Sequence, residues 1–380
     1  RIYANDRMNR IVTYLLALAI CMGCAANTTP FDAALFTEVI YTPKHASGFE
    51  IRGCKEDNST LITVKNPWQG AQDVEQMLLI DRSGRFKAEG TNIQRIEKEA
   101  RRIICMSSSY VAMLSAIDKQ ECIAGVSGID FISDEYVVTN RQSIGDVGYD
   151  NNINYELVLA LDPDLVLLYG VMGASGMESK LRELGVPYLY LGEYVESSPL
   201  GKAEWMVAMG EITGARQKAE EQFASIAERY TTLAKEVNLP DEQRKQVMLN
   251  TPYRDSWFIP SEQNYMARLI RDAGGKPFTI EGPGNSSQPV DMEQAYIWAS
   301  EADVWLNVGG CNSLEELTRQ NPKFADVKAV REMQVYNNNG RQTPQGGSDF
   351  WESGVVRPDV ILQDLATILQ GRNEDLYYYK

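Results

Sequence analysis

Short apolar runs alternate with helix-spaced stretches from about residue 102 to the end of the chain. Ile103-Ile104-Cys105-Met106, Cys122 to Val126, Leu165 to Leu168 and Tyr188 to Leu191 read as strands. Between them, Tyr110 to Ile117, Tyr155 to Leu161 and Met177 to Leu184 read as helices. Strands that are apolar on both faces and separated by helices predict a parallel sheet. Trp205, Met209, Ile212, Ala219, Phe223, Ile226, Tyr230 and Leu233 then form one apolar stripe at helical spacing. Gly214 closes the first helix of this stripe as a C-cap, and the second runs from about Ala215 to Val237 before Leu239-Pro240-Asp241. At 1.5 Å per residue that helix is about 35 Å long, enough to cross from one lobe to another.

A second α/β series follows. Val247-Met248-Leu249-Asn250 and Trp257-Phe258-Ile259 read as strands, and Tyr265 to Ala273 as a helix capped by Gly274-Gly275. A helix from Met292 to Ala299, a strand from Val304 to Val308 and a helix from Val360 to Leu369 complete it. The halves echo each other: Tyr155-Glu156-Leu157 leading to Asp164-Leu165-Val166 parallels Met292-Glu293-Gln294 leading to Asp303-Val304-Trp305, with two more residues between Glu and Asp in the second. Ahead of both halves, Phe49-Glu50-Ile51, Leu61 to Val64 and Met77 to Ile80 are strand-like runs set between turn residues. The pattern predicts an α/β chain: a small β-rich extension over residues 25–98, an α/β lobe over 99–214, a bridging helix over 215–238 and a second α/β lobe over 239–380.

Residues 1–24 differ from all of this. Arg7 and Arg10 precede an apolar run, Ile11 to Met22, too short to span a bilayer comfortably but suited to a signal peptide; Met8-Asn9-Arg10 reads as its natural start. Cys21-Met22-Gly23-Cys24 resembles a bacterial lipobox, with Cys21 standing where Leu, Val or Ile is usual. The expectation is cleavage before Cys24 and lipidation of its thiol, giving a membrane-anchored periplasmic protein.

Composition narrows the function. With 37 basic against 52 acidic residues the net charge is −15, and such a surface repels phosphate backbones, so nucleic acid is not expected as a partner. One histidine, His45, cannot build a His-rich site for a naked metal ion and reads as a turn residue. Cys54, Cys105, Cys122 and Cys311 lack metal-ligand spacing; Cys105 and Cys122, on neighbouring strand segments, read as buried apolar side chains rather than a disulfide. The chain has no G-x-S-x-G elbow, no phosphate-cradling lysine loop and no G-x-G-x-x-G after a strand. An enzyme is therefore the remote alternative, and no catalytic residue is assigned.

From about Arg101 to Leu369 the chain resembles the ABC-importer binding proteins that carry ferric siderophores, haem or cobalamin. The resemblance rests on Arg102-Ile103-Ile104-Cys105-Met106-Ser107-Ser108-Ser109, on Gly145-Asp146-Val147-Gly148 with Asn154-Tyr155-Glu156-Leu157 and Asp162 to Leu167, and on Asp349-Phe350-Trp351-Glu352. Ala112 departs from it, since many members place Glu there. The resemblance implies two Rossmann-like lobes joined by one long helix, with ligand in the cleft between them. It also implies that Glu156 and Glu293, one per lobe, dock onto arginines of a membrane permease.

Loops at the C-terminal ends of the parallel strands should face such a cleft. They carry Tyr149, Tyr169, Tyr253, Arg254, Trp257 and Trp351, an aromatic set with one cation that suits a large, flat or oxygen-rich ligand; Trp298 and Trp305 belong to the core. The expected ligand is an iron chelate, ferric siderophore or haem, with cobalamin as the alternative. Metal arrives already chelated, with no protein-held metal or cofactor, and the chain is expected to act as a monomer.

Overall fold

The computed structural model describes residues 28–149 and 151–380. The proposed signal peptide and Cys24 lie outside the described residues. Among those described, no helix is long and apolar enough to cross a membrane.

The first lobe is built on a five-stranded, all-parallel sheet. Its order is Gly145–Asp146, Ile123–Val126, Ile103–Cys105, Leu165–Leu168, Tyr188–Tyr190. The three runs Ile103–Cys105, Ile123–Val126 and Leu165–Leu168 are buried throughout, as their unbroken apolar sequences require. The second lobe has a four-stranded parallel sheet ordered Lys276–Pro277, Gln246–Leu249, Val304–Leu306, Val335–Tyr336. Trp257–Pro260 lies outside this sheet, in an antiparallel hairpin with Ser287–Val290.

The repeat read in the sequence is visible in the hydrogen bonding. Asp164 accepts from the backbone N–H groups of Arg101 and Arg102 at 2.7 and 2.9 Å, just ahead of the strand beside its own. Asp303 does the same in the second lobe, accepting from the N–H of Gln246 at 2.8 Å. The helices that lead into them open on Asn154 and Asp291, whose side chains accept first-turn N–H groups. The second of these helices runs ten residues against six, which accommodates the longer spacing there.

The bridging helix spans Arg216–Glu236. Near its start Lys218 pairs with Asp118 of the first lobe; further on, Arg229 pairs with Asp359 at 2.7 Å and Tyr230 donates to Asp272 at 2.7 Å in the second. Its interior contains no Gly or Pro to act as a hinge.

The extension carries a five-stranded sheet ordered Glu38–Tyr41, Phe49–Gly53, Thr60–Lys65, Glu75–Ile80, Ile93–Ile96. It is welded to the first lobe rather than tethered to it. Phe49, Ile51, Ile62 and Val64 share one buried cluster with Leu114, Trp205, Ile226 and Leu365, so a single core runs through extension, bridge and both lobes. Two buried carboxylates reinforce the joint. Glu204 accepts from the N–H groups of Lys44, His45 and Ala46 at 2.7–2.8 Å, and Glu196 from those of Ser47 and Gly48. Cys54, Cys105, Cys122 and Cys311 are buried free thiols, and burial pushes the thiol of Cys105 far above its ordinary range.

Candidate functional site

Both sheets end toward the space between the lobes. In the second lobe, Asn250 and Asn307 follow directly on the paired strands Gln246–Leu249 and Val304–Leu306, and both adopt left-handed backbone (φ 66° and 60°). Asn tolerates that conformation, so each strand turns at once and leaves a carboxamide at its end. In the first lobe, Ser107 caps the helix Ser108–Ala116 after the strand Ile103–Cys105.

These ends enclose a cavity of about 710 Å³ between the lobes, within the range of small-molecule sites. The first lobe contributes Ser107, Ser108, Ser109, Glu193, Tyr194 and Lys202. The second contributes Asn250, Asn264, Tyr265, Asn285, Asn307, Asn338 and Trp351, and the extension adds Gln69. A second cavity of about 790 Å³ lies over the first-lobe strands, walled by Met106, Tyr155, Tyr169 and the glycine-rich loop from Gly170 to Met177.

A polar group is built into the floor of the inter-lobe cavity. The Lys202 ammonium donates to the backbone carbonyls of Glu193 and Tyr194 at 2.9 and 3.1 Å and sits 4.9 Å from the centre of the Tyr265 ring across the cleft. Burial draws its pKa down to about 8. Glu193 accepts from the Ser109 hydroxyl at 2.8 Å through one oxygen, while its other oxygen is buried without a hydrogen-bond partner. Burial raises the Glu193 carboxyl, and the nearby Lys202 charge opposes that rise. Among the described residues that line the two cavities, Glu193 and Lys202 carry the only charges.

The residues expected to form the site separate into groups. Trp351 is 48% exposed and lines the inter-lobe cavity, with its ring 6.4 Å from that of Tyr265; Tyr169 lines the first-lobe cavity. Tyr149 packs edge-on against Phe131 and lines neither. Tyr253 and Arg254 stack on each other at an exposed turn, outside both cavities. Trp257 is a correction: it is fully buried, donates its ring N–H to the Leu249 carbonyl at 2.9 Å and packs on Trp305 and Phe324. Pairing with Ser287–Val290 fixes the register of its strand, so Trp257 points into the lobe while Phe258 points out. Lys202, Glu193 and the cleft carboxamides went unread. Their signal was weak: an Asn directly after each of two apolar strands.

Among the described residues, no group of three His, Cys, Asp or Glu is placed to hold a metal ion. The periplasmic binding protein family model matches residues 103–339. The chain belongs to that family. Its sequence is 26% identical to an uncharacterized lipoprotein of Methanocaldococcus jannaschii, over 74% of this chain and 67% of that protein. It is 23% identical to an uncharacterized ABC transporter substrate-binding lipoprotein of Bacillus subtilis, over 64% of this chain and 74% of that one. The fold is similar to a periplasmic binding protein of Veillonella parvula (TM-score 0.59, 15% identity, 83% of this chain and 99% of that chain). It also matches the vitamin B12 binding protein of Vibrio cholerae (0.53, 16%, 73% and 99%) and a haem binding protein of Pseudomonas aeruginosa (0.54, 18%, 73% and 95%). The family is one of binding proteins, and the names of these two solved structures give vitamin B12 and haem as what those proteins bind.

Proposed function

We propose that this periplasmic binding protein captures an uncharged, amide-bearing metal chelate, a corrinoid of the cobalamin type, and delivers it to an ABC permease. The charge of the cleft carries the reading: one Lys and one Glu, set close together, among carboxamides, hydroxyls and aromatic rings. Haem brings two carboxylates and a ferric tricatecholate a net negative charge. Burying such charge without a cation to spare is costly. Arg254, whose presence pointed to an anionic iron chelate, lies outside both cavities. A corrinoid rim of primary amides matches Asn and Gln side chains donor for acceptor. A ferric trihydroxamate, also uncharged, is the second reading, favoured by the Lys202 ammonium as a donor to its chelating oxygens.

Tryptophan fluorescence titrated with cyanocobalamin, haem, a ferric trihydroxamate and a ferric tricatecholate tests this. Stoichiometric binding of cyanocobalamin, or of the trihydroxamate for the second reading, is expected. Tight binding of haem or the tricatecholate alone would overturn both. Glu156 and Glu293 are proposed to dock the loaded monomer on the permease. Cys24 is proposed as its lipid anchor, a reading supported by relatives named lipoproteins. Replacing Cys24 with Ser should move the protein from the membrane fraction to the soluble one.

A further inference from the structure

We infer that the loop between Lys65 and Glu75 of the β extension is a third wall of the ligand site, and that Gln69 at its tip is a specificity-determining contact. The inference rests on the cleft being the ligand site. The wall comes from residues ahead of the family match, which spans residues 103–339.

The loop is closed at its neck. The Asn66 N–H donates to the Val74 carbonyl at 2.8 Å, and the Asn66 side chain accepts from the Val74 N–H at 3.0 Å. Asn66 and Asp73 both take left-handed backbone, φ 48° and 56°, which folds the chain back on itself. Trp68 packs edge-on against Tyr190 at the end of a first-lobe strand, with ring centres 5.2 Å apart. It lies so close over Gly170 that a Cβ there would stand 2.8 Å from the indole.

That packing delivers Gln69 to the inter-lobe cavity. Its backbone N–H donates to the carbonyl of Val171, which lines the first-lobe cavity, at 3.0 Å. Its side chain lines the inter-lobe cavity and reaches the Asn285 carbonyl of the second lobe at 3.5 Å. Asn285 in turn donates to the Tyr194 carbonyl of the first lobe at 2.9 Å. One residue of the extension therefore touches both lobes at the inter-lobe cavity.

The long contact with Asn285 is weak and exchangeable. A ligand amide can replace it without leaving a buried group unsatisfied, and a ligand lacking such a group cannot. The wall also cannot swing aside freely, since Glu196 and Glu204 hold the preceding segment through five backbone N–H groups. The size and polarity of what enters the cleft are thus set partly by the extension.

The test compares the unaltered full chain with Gln69→Ala and Gln69→Trp, using cyanocobalamin, dicyanocobinamide, haem and a ferric trihydroxamate as probes. Gln69→Ala should weaken the preferred probe about tenfold, the loss expected for one hydrogen bond in a desolvated site. Gln69→Trp should change the ratio of cyanocobalamin to dicyanocobinamide affinity by a similar factor, since it fills space at the wall. Melting temperatures are read alongside. Hydrogen exchange on the unaltered protein gives an independent reading: amides of residues 66–74 should gain protection when the preferred probe binds. If the unaltered protein binds a probe but both variants bind it within twofold and the loop gains no protection, the wall is overturned while the transport reading stands. If the unaltered protein binds none of the probes, the transport reading fails and takes the wall with it.

Discussion

The backbone N–H of Ser133 in the first lobe donates to Oε2 of Glu352 in the second at 3.0 Å. The same turn places Trp351 in the cleft, so one side chain lines the cavity while its neighbour ties the lobes together. Burial pushes the Glu352 carboxyl up to about 7; the Ser133 N–H pulls it down, while Asp349 and Asp134 push it further up. The folded chain thus keeps a proton that the unfolded chain, with an ordinary carboxyl near 4.5, gives up. Protons bound in excess by the native state make stability fall as pH rises through this window, from about 4.5 to 7. The shift is worth about 3 kcal/mol at most. Glu352→Gln keeps an acceptor for Ser133 and removes the titration. The variant should be about 1–3 kcal/mol more stable than the parent at pH 8 and equal to it at pH 4, by urea unfolding. A difference that does not change with pH would refute the assignment.

The lobes also meet at Gly347. A Cβ built there would overlap the carbonyl oxygen of Phe131 in the first lobe, backbone against backbone, with no flexible side chain to yield. Gly347→Ala should cost about 1–3 kcal/mol of stability through this overlap and weaken ligand binding as the lobes part. Gly346→Ala is the control. Its φ of +95° strains any side chain, but nothing lies within 4 Å, so it should cost about 1 kcal/mol and leave affinity alone. Equal losses of affinity in the two variants would show that the Gly347 contact does not set the lobe spacing.

Two tryptophans read alike in sequence and separate in structure. Trp257→Ala empties the core of the second lobe beside Trp305 and Phe324 and should cost about 3–5 kcal/mol. Trp351→Ala removes an exposed ring from the cleft wall. It should change stability by less than about 1 kcal/mol, weaken ligand binding several-fold and abolish most ligand-induced quenching. Calorimetry and fluorescence titration on both variants decide this.

The contrast between the two tryptophans shows what the chain states openly. Ile103–Cys105, Leu165–Leu168 and Val304–Leu306 are buried on both faces, so their composition alone marks them as central parallel strands. Trp257–Pro260 has a buried and an exposed face, and which face is which depends on pairing with Ser287–Val290, far along the chain. Glu38–Tyr41 and Val335–Tyr336 carry no fully buried residue, and their apolar runs of three and two residues are too short to stand out as strands. The place of the cleft follows from strand direction, which alternation of strand and helix makes legible. Its lining does not. Gln69 and Asn285 stand 216 residues apart, and the Lys202 charge is drawn into the cleft floor by two carbonyls that no local pattern reveals.

The docking surface gives the last prediction. Glu156 and Glu293 are both exposed and occupy the first turns of the helices Tyr155–Ala160 and Met292–Glu301, the elements that echo each other between lobes. Neither lines a cavity. Each has an exposed apolar side chain one helical turn on, Leu159 and Ile297, which gives each lobe a knob of one carboxylate beside one aliphatic side chain. Carboxylates so placed suit bidentate pairing with arginine. The bland alternative is that each only favours its helix N-terminus, worth about 0.3–1 kcal/mol. Reversing both to Arg separates the two readings. Uptake of ligand by cells should be lost, while affinity stays within about twofold and stability falls by no more than about 4 kcal/mol, since each reversal removes a favourable dipole interaction and adds an unfavourable one. Transport that survives the double reversal leaves only the helix-dipole role. A collapse of ligand binding instead would put both side chains at the cleft, against their positions here.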